Sequence, residues 1–169
     1  TLGAEKLYDI ARQYIGNTQD KTIFDLYTGT GTIAQLISPV AKKVIGVEIV
    51  EEAVIKAKEN ASLNGITNCE FIVGDVLKVI DDLEEKPDII ILDPPRSGIH
   101  PKVINKIISF KPDTFIYISC NPKAMLVDLP VFIEAGYELK KAVAVDMFPM
   151  TGHVESIILM TYCGSDGKE

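Results

Sequence analysis

Basic residues are in short supply: 17 Lys and Arg stand against 24 Asp and Glu in 169 residues, a formal net charge of −7. A domain that grips nucleic acid unaided carries a basic surplus to displace counterions from phosphate, so this chain is expected to bind a polynucleotide only weakly by itself. Cysteine is scarce as well. Cys69, Cys120 and Cys163 are odd in number and far apart, which excludes a disulfide framework. No charged-then-apolar leader opens the sequence, and no stretch approaches the ~20 uncharged residues of a membrane span, so the expected setting is a reducing cytoplasm. Repeats, low-complexity tracts and linkers are lacking too. What remains is 47% hydrophobic and 24% charged, enough for one core that needs neither metal nor disulfide. A single domain is expected over 1–163, followed by a polar tail at 164–169.

Gly3–Ile15 reads as an amphipathic helix, and because the sequence starts abruptly before it, the chain looks cut from a longer protein with further domains upstream. Beyond it, short apolar runs at Ile23–Tyr27, Val44–Glu48, Glu70–Val73, Asp88–Leu92 and Thr114–Ser119 read as strands. Helical patterns at Gly31–Leu36, Glu51–Asn64, Val76–Leu83 and Pro101–Ser109 alternate with them, the second closing at Gly65. This alternation predicts a parallel sheet with helices on both faces, and the nearly unbroken apolarity of the strands fits burial on both sides. Tyr137–Asp146 and Val154–Thr161 have no helix between them and are expected to be antiparallel. The fold class is therefore α/β, with a seven-stranded, mainly parallel sheet.

In such sheets ligands sit beyond the carboxyl ends of the strands. After the first strand comes Thr28-Gly29-Thr30-Gly31-Thr32, where Gly29 and Gly31 allow close approach of a ligand to the backbone. Alone this turn separates neither NAD, a nucleotide nor S-adenosylmethionine. Glu48 ends the second strand about twenty residues later, the place from which a carboxylate accepts hydrogen bonds from ribose hydroxyls. Asp75, after the third strand, is as well suited to capping a helix as to meeting an adenine amino group.

Asp93-Pro94-Pro95-Arg96 follows the fourth strand, its prolines stiffening the turn that holds Asp93 at the sheet's edge. Amino-group methyltransferases often carry a stacking aromatic after the two prolines, whereas Arg96 suits phosphate or carboxylate. Cys120 ends the fifth strand and precedes a proline-opened helix whose N-terminus would favour a thiolate. Cys69 and Cys163 read as buried packing residues. Glu155 opens the last strand beside apolar neighbours, a setting that raises a carboxylate's pKa as a general base requires. His153 reads as a structural residue that orients its loop.

Taken with Glu5-Lys6-Leu7-Tyr8, Phe24-Asp25-Leu26-Tyr27, Tyr117-Ile118-Ser119-Cys120-Asn121-Pro122 and Phe148-Pro149-x-Thr151-x-His153-x-Glu155, these motifs resemble the RNA 5-methyluridine methyltransferases along essentially the whole chain. The resemblance implies a Rossmann-like class I fold dependent on S-adenosylmethionine, with Cys120 as nucleophile, Glu155 as base, and Tyr27, Glu48 and Asp93 at the cofactor. Gly29, Gly31 and Asp75 complete the expected cofactor set. A cofactor-contacting glutamine of that family lies upstream of Thr1. Departures fall at Thr28, where the family often has cysteine, at Ala124-Met125, where it has threonine-leucine, and at Pro130, which interrupts the helical pattern after the nucleophile. The resemblance implies an RNA substrate, ribosomal ahead of tRNA, and a monomer. The chemistry asks for the same residues, since carbon 5 of uracil gains nucleophilicity only after a thiolate adds to carbon 6. Two other readings stay open: an amino-group or carboxylate methyltransferase in which Cys120 merely packs, and a silent cofactor-binding module.

Overall fold

The computed structural model describes residues 2–16, 18–147 and 154–164. Phe148, Pro149, Thr151, His153 and the polar tail from 165 onward lie outside them. The chain runs α1 (Leu2–Ile15), β1 (Thr18–Leu26), α2 (Thr32–Ile37), a 3-10 turn, β2 (Ala41–Glu48), α3 (Glu51–Leu63), β3 (Cys69–Val73), α4 (Val76–Val79), β4 (Ile89–Leu92), α5 (Pro101–Ser109), β5 (Thr114–Ser119), α6 (Pro122–Glu134), β6 (Tyr137–Asp146) and β7 (Val154–Tyr162). The sheet order is β3-β2-β1-β4-β5-β7-β6. Strands β1 to β5 are parallel, and β7 enters antiparallel to both β5 and β6.

Successive strand residues face opposite sides, so each central strand feeds two cores. Ile23, Ile89, Ile91, Ile116, Ile118, Ile157 and Leu159 pack under α1, α2 and α3, where Leu7, Ala11, Ala34, Ile37, Val54 and Ala57 meet them. Phe24, Leu26, Ile90, Leu92, Phe115, Tyr117, Ile158 and Met160 pack against α4, α5 and α6 through Val76, Ile104, Ile107, Met125 and Phe132. Burying each such side chain stabilises the fold by roughly 1.5–3 kcal/mol. Phe115 also makes edge contacts with Phe132 and Tyr137, ring centroids 4.9 and 4.8 Å apart, which pins α6 and β6 to β5.

Several sequence expectations are corrected. Helix α4 stops at Val79 instead of Leu83: once Ile80 is seated in the core, the chain enters Asp81-Asp82-Leu83-Glu84-Glu85, whose acidic side chains oppose the helix dipole at a C-terminus. Strand β1 begins at Thr18, ahead of the apolar run, because Thr18 already pairs with Ala41 across an irregularity in the register. Pro130 does not break α6. It lies on the exposed side, so the Leu126 carbonyl that loses a donor is left to water. Cys163 is exposed, just past the end of β7, with its thiol 3.1 Å from Glu138 Oε2. Cys69 is half-buried and its Sγ–H points to the Ala34 carbonyl at 3.5 Å. Among the described residues no helix is long and apolar enough to cross a membrane.

Candidate active site

β1 and β4 are neighbours, but the chain leaves them in opposite directions, towards β2 and towards β5, and their carboxyl ends flank a crevice. β1 turns sharply at Tyr27, which holds a left-handed φ of 65°. Such a conformation costs a non-glycine residue on the order of 1 kcal/mol or more and persists where its surroundings over-determine it. Here the Thr28 amide donates to the Val47 carbonyl at 3.0 Å and the Gly31 amide to the Thr28 carbonyl at 2.9 Å. Gly31 is required by space as well as by its φ of 75°, since a Cβ there would stand 2.7 Å from the Phe71 ring.

Glu48 clamps this turn. One carboxylate oxygen accepts the Gly29 amide at 3.0 Å and the other the Val50 amide at 3.0 Å, which fixes its orientation and leaves lone pairs free on both oxygens. Asp75 is the N-cap of α4, accepting the Leu77 amide at 2.8 Å. It also lines a recess of about 460 Å³ with Tyr27, Leu77, Pro95, Ile99 and Val103. A planar, mainly apolar group fits between such walls. The Tyr27 phenol is pushed up to about 12, by burial first and then by Asp75 and Asp128.

Asp93 is tied to the end of β1 by its amide, which donates to the Leu26 carbonyl at 3.4 Å. Asp93 is exposed at the crevice, and its carboxyl is raised to about 7 by partial desolvation, then by Asp25 and Glu155. Glu155 is half-buried at the start of β7 and desolvation raises it too. Cys120 is exposed and directly precedes Asn121, the N-cap residue of α6. Ser119 pairs with Ser156 at the end of the β5–β7 ladder, so Cys120 and Glu155 are the residues that follow and precede this last pair, at the same end of the two strands. All eight residues expected at the site thus border one edge of the sheet, where Asp75 has an additional structural duty.

Two residues of the same edge escaped the sequence reading. Asp25 is fully buried: Oδ2 accepts the Thr28 hydroxyl at 2.6 Å, the Ala34 amide also favours the ionised form, and desolvation outweighs both to lift the carboxyl to about 7. The signal was available, because an acid inside a strand buried on both faces needs a reason. Tyr8 of α1 has its phenol raised by burial and then by Asp93, Asp25 and Glu155, which sets α1 as a wall of the crevice.

The sequence matches the family described as "Methyltransferase domain" over residues 17–159. It is 56% identical over 156 residues to an uncharacterized RNA methyltransferase of Clostridium tetani, spanning 92% of this chain and 34% of that protein. A second uncharacterized RNA methyltransferase, from Caldanaerobacter subterraneus, is 53% identical over 160 residues, 95% of this chain and 36% of that one. The chain therefore spans about a third of the length of these curated relatives. Among solved structures, the tRNA (uracil-54, C5)-methyltransferase of Pyrococcus abyssi in complex with S-adenosyl-L-homocysteine superposes with a TM-score of 0.79 at 30% identity, covering 90% of this chain and 37% of that one. The precorrin-6y C5,15-methyltransferase of Geobacter metallireducens, at 12% identity and a TM-score of 0.78 over 93% of this chain and 88% of its own, shares the fold.

The residues present fit S-adenosylmethionine. The turn at Gly29–Gly31 admits a ligand close to the backbone, the Glu48 carboxylate keeps acceptor capacity beyond its two amide bonds, and the recess beyond Tyr27 has room for a planar group. The raised carboxyls of Asp25 and Asp93 border the same crevice. The chain belongs to the methyltransferase domain family, with the class I fold and S-adenosylmethionine as its methyl donor.

Proposed function

We propose that this domain methylates carbon 5 of a uridine in RNA through a covalent adduct on Cys120. The observation that carries the reading is the juxtaposition of Cys120 and Glu155 beside Asp93, brought together by antiparallel pairing of β7 with β5. An amino-group methyltransferase has no use for a thiol and a carboxylate at adjacent strand ends, and Arg96 stands where such enzymes stack a base. The relatives' description as RNA methyltransferases and the uracil-C5 activity named for the Pyrococcus neighbour support the same reading.

The Cys120 thiolate adds to carbon 6, forming the S–C6 bond and pushing the C5=C6 electron pair towards carbon 5 and its neighbouring carbonyl. Bound S-adenosylmethionine supplies an electrophilic methyl, which carbon 5 takes as the methyl–sulfur bond breaks. Glu155 then removes the remaining proton from carbon 5, the C5=C6 bond re-forms, and the S–C6 bond breaks to return the thiolate. Desolvation of Glu155 serves this step, because a carboxylate with a raised pKa is a stronger base. To reach both groups the uridine must be flipped out of any stack. With a net charge of −7, the domain relies on other parts of the protein to grip its RNA.

Full-length protein given RNA with 5-fluorouridine at the target is expected to methylate it and stall as a complex that survives denaturation, because fluorine cannot leave as a proton. Cys120→Ala should form no complex, and Glu155→Gln should accumulate one even on ordinary uridine. Full methylation by Cys120→Ala, or a cross-link mapped to Cys69 or Cys163, overturns the mechanism. The target is taken to be ribosomal RNA. Nucleoside analysis of separated ribosomal and transfer RNA from cells lacking the protein decides between them.

A further inference from the structure

Asp128 interrupts an otherwise apolar stretch of α6, Met125 to Phe132, and is only 8% exposed. Its Oδ2 accepts the Tyr117 hydroxyl on β5 at 2.7 Å and the Ile99 backbone amide at 3.3 Å. Ile99 closes the segment that starts at Asp93 and walls the cofactor recess. A second tie joins the same segment and helix, for Asn121 Nδ2 donates to the Arg96 carbonyl at 3.0 Å. Between the two ties, Gly98 presses on the helix: a Cβ there would sit 3.3 Å from Asp128 Oδ2 and 3.3 Å from Ala124 Cβ, at a φ of +85°. A leucine at position 128 could fill the space, yet a carboxylate is desolvated there at a cost that only its donors offset. The donors come from the two elements whose separation decides where a methyl donor stands relative to Cys120.

We propose that Asp128 is a positioning residue for methyl transfer. With Asn121, it fixes the Arg96–Ile99 wall of the cofactor recess against the helix that opens directly after Cys120, so its buried carboxylate helps set the distance from donor to thiol. This deepens the reading of Cys120 as nucleophile and rests on it for the rate, though not for cofactor affinity.

The test uses full-length protein carrying Asp128→Leu, which keeps the size and removes the acceptor of both hydrogen bonds, with Tyr117→Phe and Asn121→Ala as milder variants should the first fail to fold. Calorimetry with S-adenosylhomocysteine is expected to show affinity weakened about three- to tenfold. Single-turnover methylation at saturating cofactor should slow at least about tenfold with KM for RNA unchanged, as small misplacements of reacting groups do. Because Asn121 and Asp128 hold one segment, the double variant should lose less than the product of the single losses. Asp128→Leu, or Tyr117→Phe in its place, with native circular dichroism but unchanged cofactor affinity and single-turnover rate would overturn the proposal. So would losses that track only the fraction folded. If Cys120→Ala proves active, the mechanism fails while the calorimetric arm still judges Asp128.

Discussion

The two faces of the sheet each bury an aspartate close to the crevice, and they use it differently. On the face under α1, α2 and α3, Asp25 takes its donors from the chain close by, the Thr28 hydroxyl and the Ala34 amide, while burial and then Glu48 raise its carboxyl to about 7. On the face under α5 and α6, Asp128 has two donors from two different elements. The same side chain, similarly hidden from water, is on one face held inside the turn after β1, with its charged form disfavoured, and on the other ties α6 to β5 and to the segment after β4. Burial alone therefore says little about an acid's role. The origin of its donors decides.

The largest way to break the comparison is to crowd the first face. Gly31→Val would force a branched side chain into a left-handed φ and into the Phe71 ring, which should cost about 4 kcal/mol in all and lower the melting temperature by about 10 °C in calorimetric scans. An unchanged melting temperature would mean that the turn and Phe71 yield freely.

A smaller effect is expected from Glu48→Ala, which removes the ribose acceptor and unclamps Gly29. Each lost charge-assisted hydrogen bond should weaken cofactor binding by about 1.5–3 kcal/mol in titration calorimetry. Binding as tight as the parent's would displace the ribose from Glu48.

The smallest effect sharpens the comparison by pH. Asp25 and Asp93 have folded pKa values raised to about 7, so without ligand they make the fold less stable as pH climbs from the ordinary carboxylate range to about 7, after which the loss is complete. A sulfonium favours their ionised forms, whereas the uncharged sulfur of the product does not. The preference for S-adenosylmethionine over S-adenosylhomocysteine should therefore rise between roughly pH 6 and 7.5, by no more than about tenfold per unit for each proton released. Asp25→Asn should flatten that rise, and a ratio that ignores pH in the parent would show that these carboxyls do not sense the sulfonium.

The five parallel strands were legible because residues buried on both faces must be apolar throughout, and the crevice followed from the glycine turn and the acids after each strand. Cys120 and Glu155 could be named from their motifs, but their adjacency could not: it depends on β7 passing between β5 and β6, which no local pattern encodes. The length of α4 was misjudged because Leu83 continues the apolar period while the acids around it end the helix. Asp25 was hidden inside a run read as simply apolar. Asp128 went unnoticed for the opposite reason, as one polar residue in a helix where a solvated face is the ordinary explanation. Its donors lie 11 and 29 residues away in sequence.

β7 is the last strand in chain order, yet it has a neighbour on each side. Until it docks, β5 presents the bare edge of Thr114-Phe-Ile-Tyr-Ile-Ser119, an apolar ribbon of unpaired amides and carbonyls of the kind that recruits other chains. During synthesis, then, five parallel strands can gather and offer a cofactor site while the sheet waits, open at one side, for a segment made some 35 residues after Cys120. The strand that seals this edge is the one that delivers Glu155. Closing the open edge of β5 and bringing in Glu155, the base proposed above, are thus one docking event.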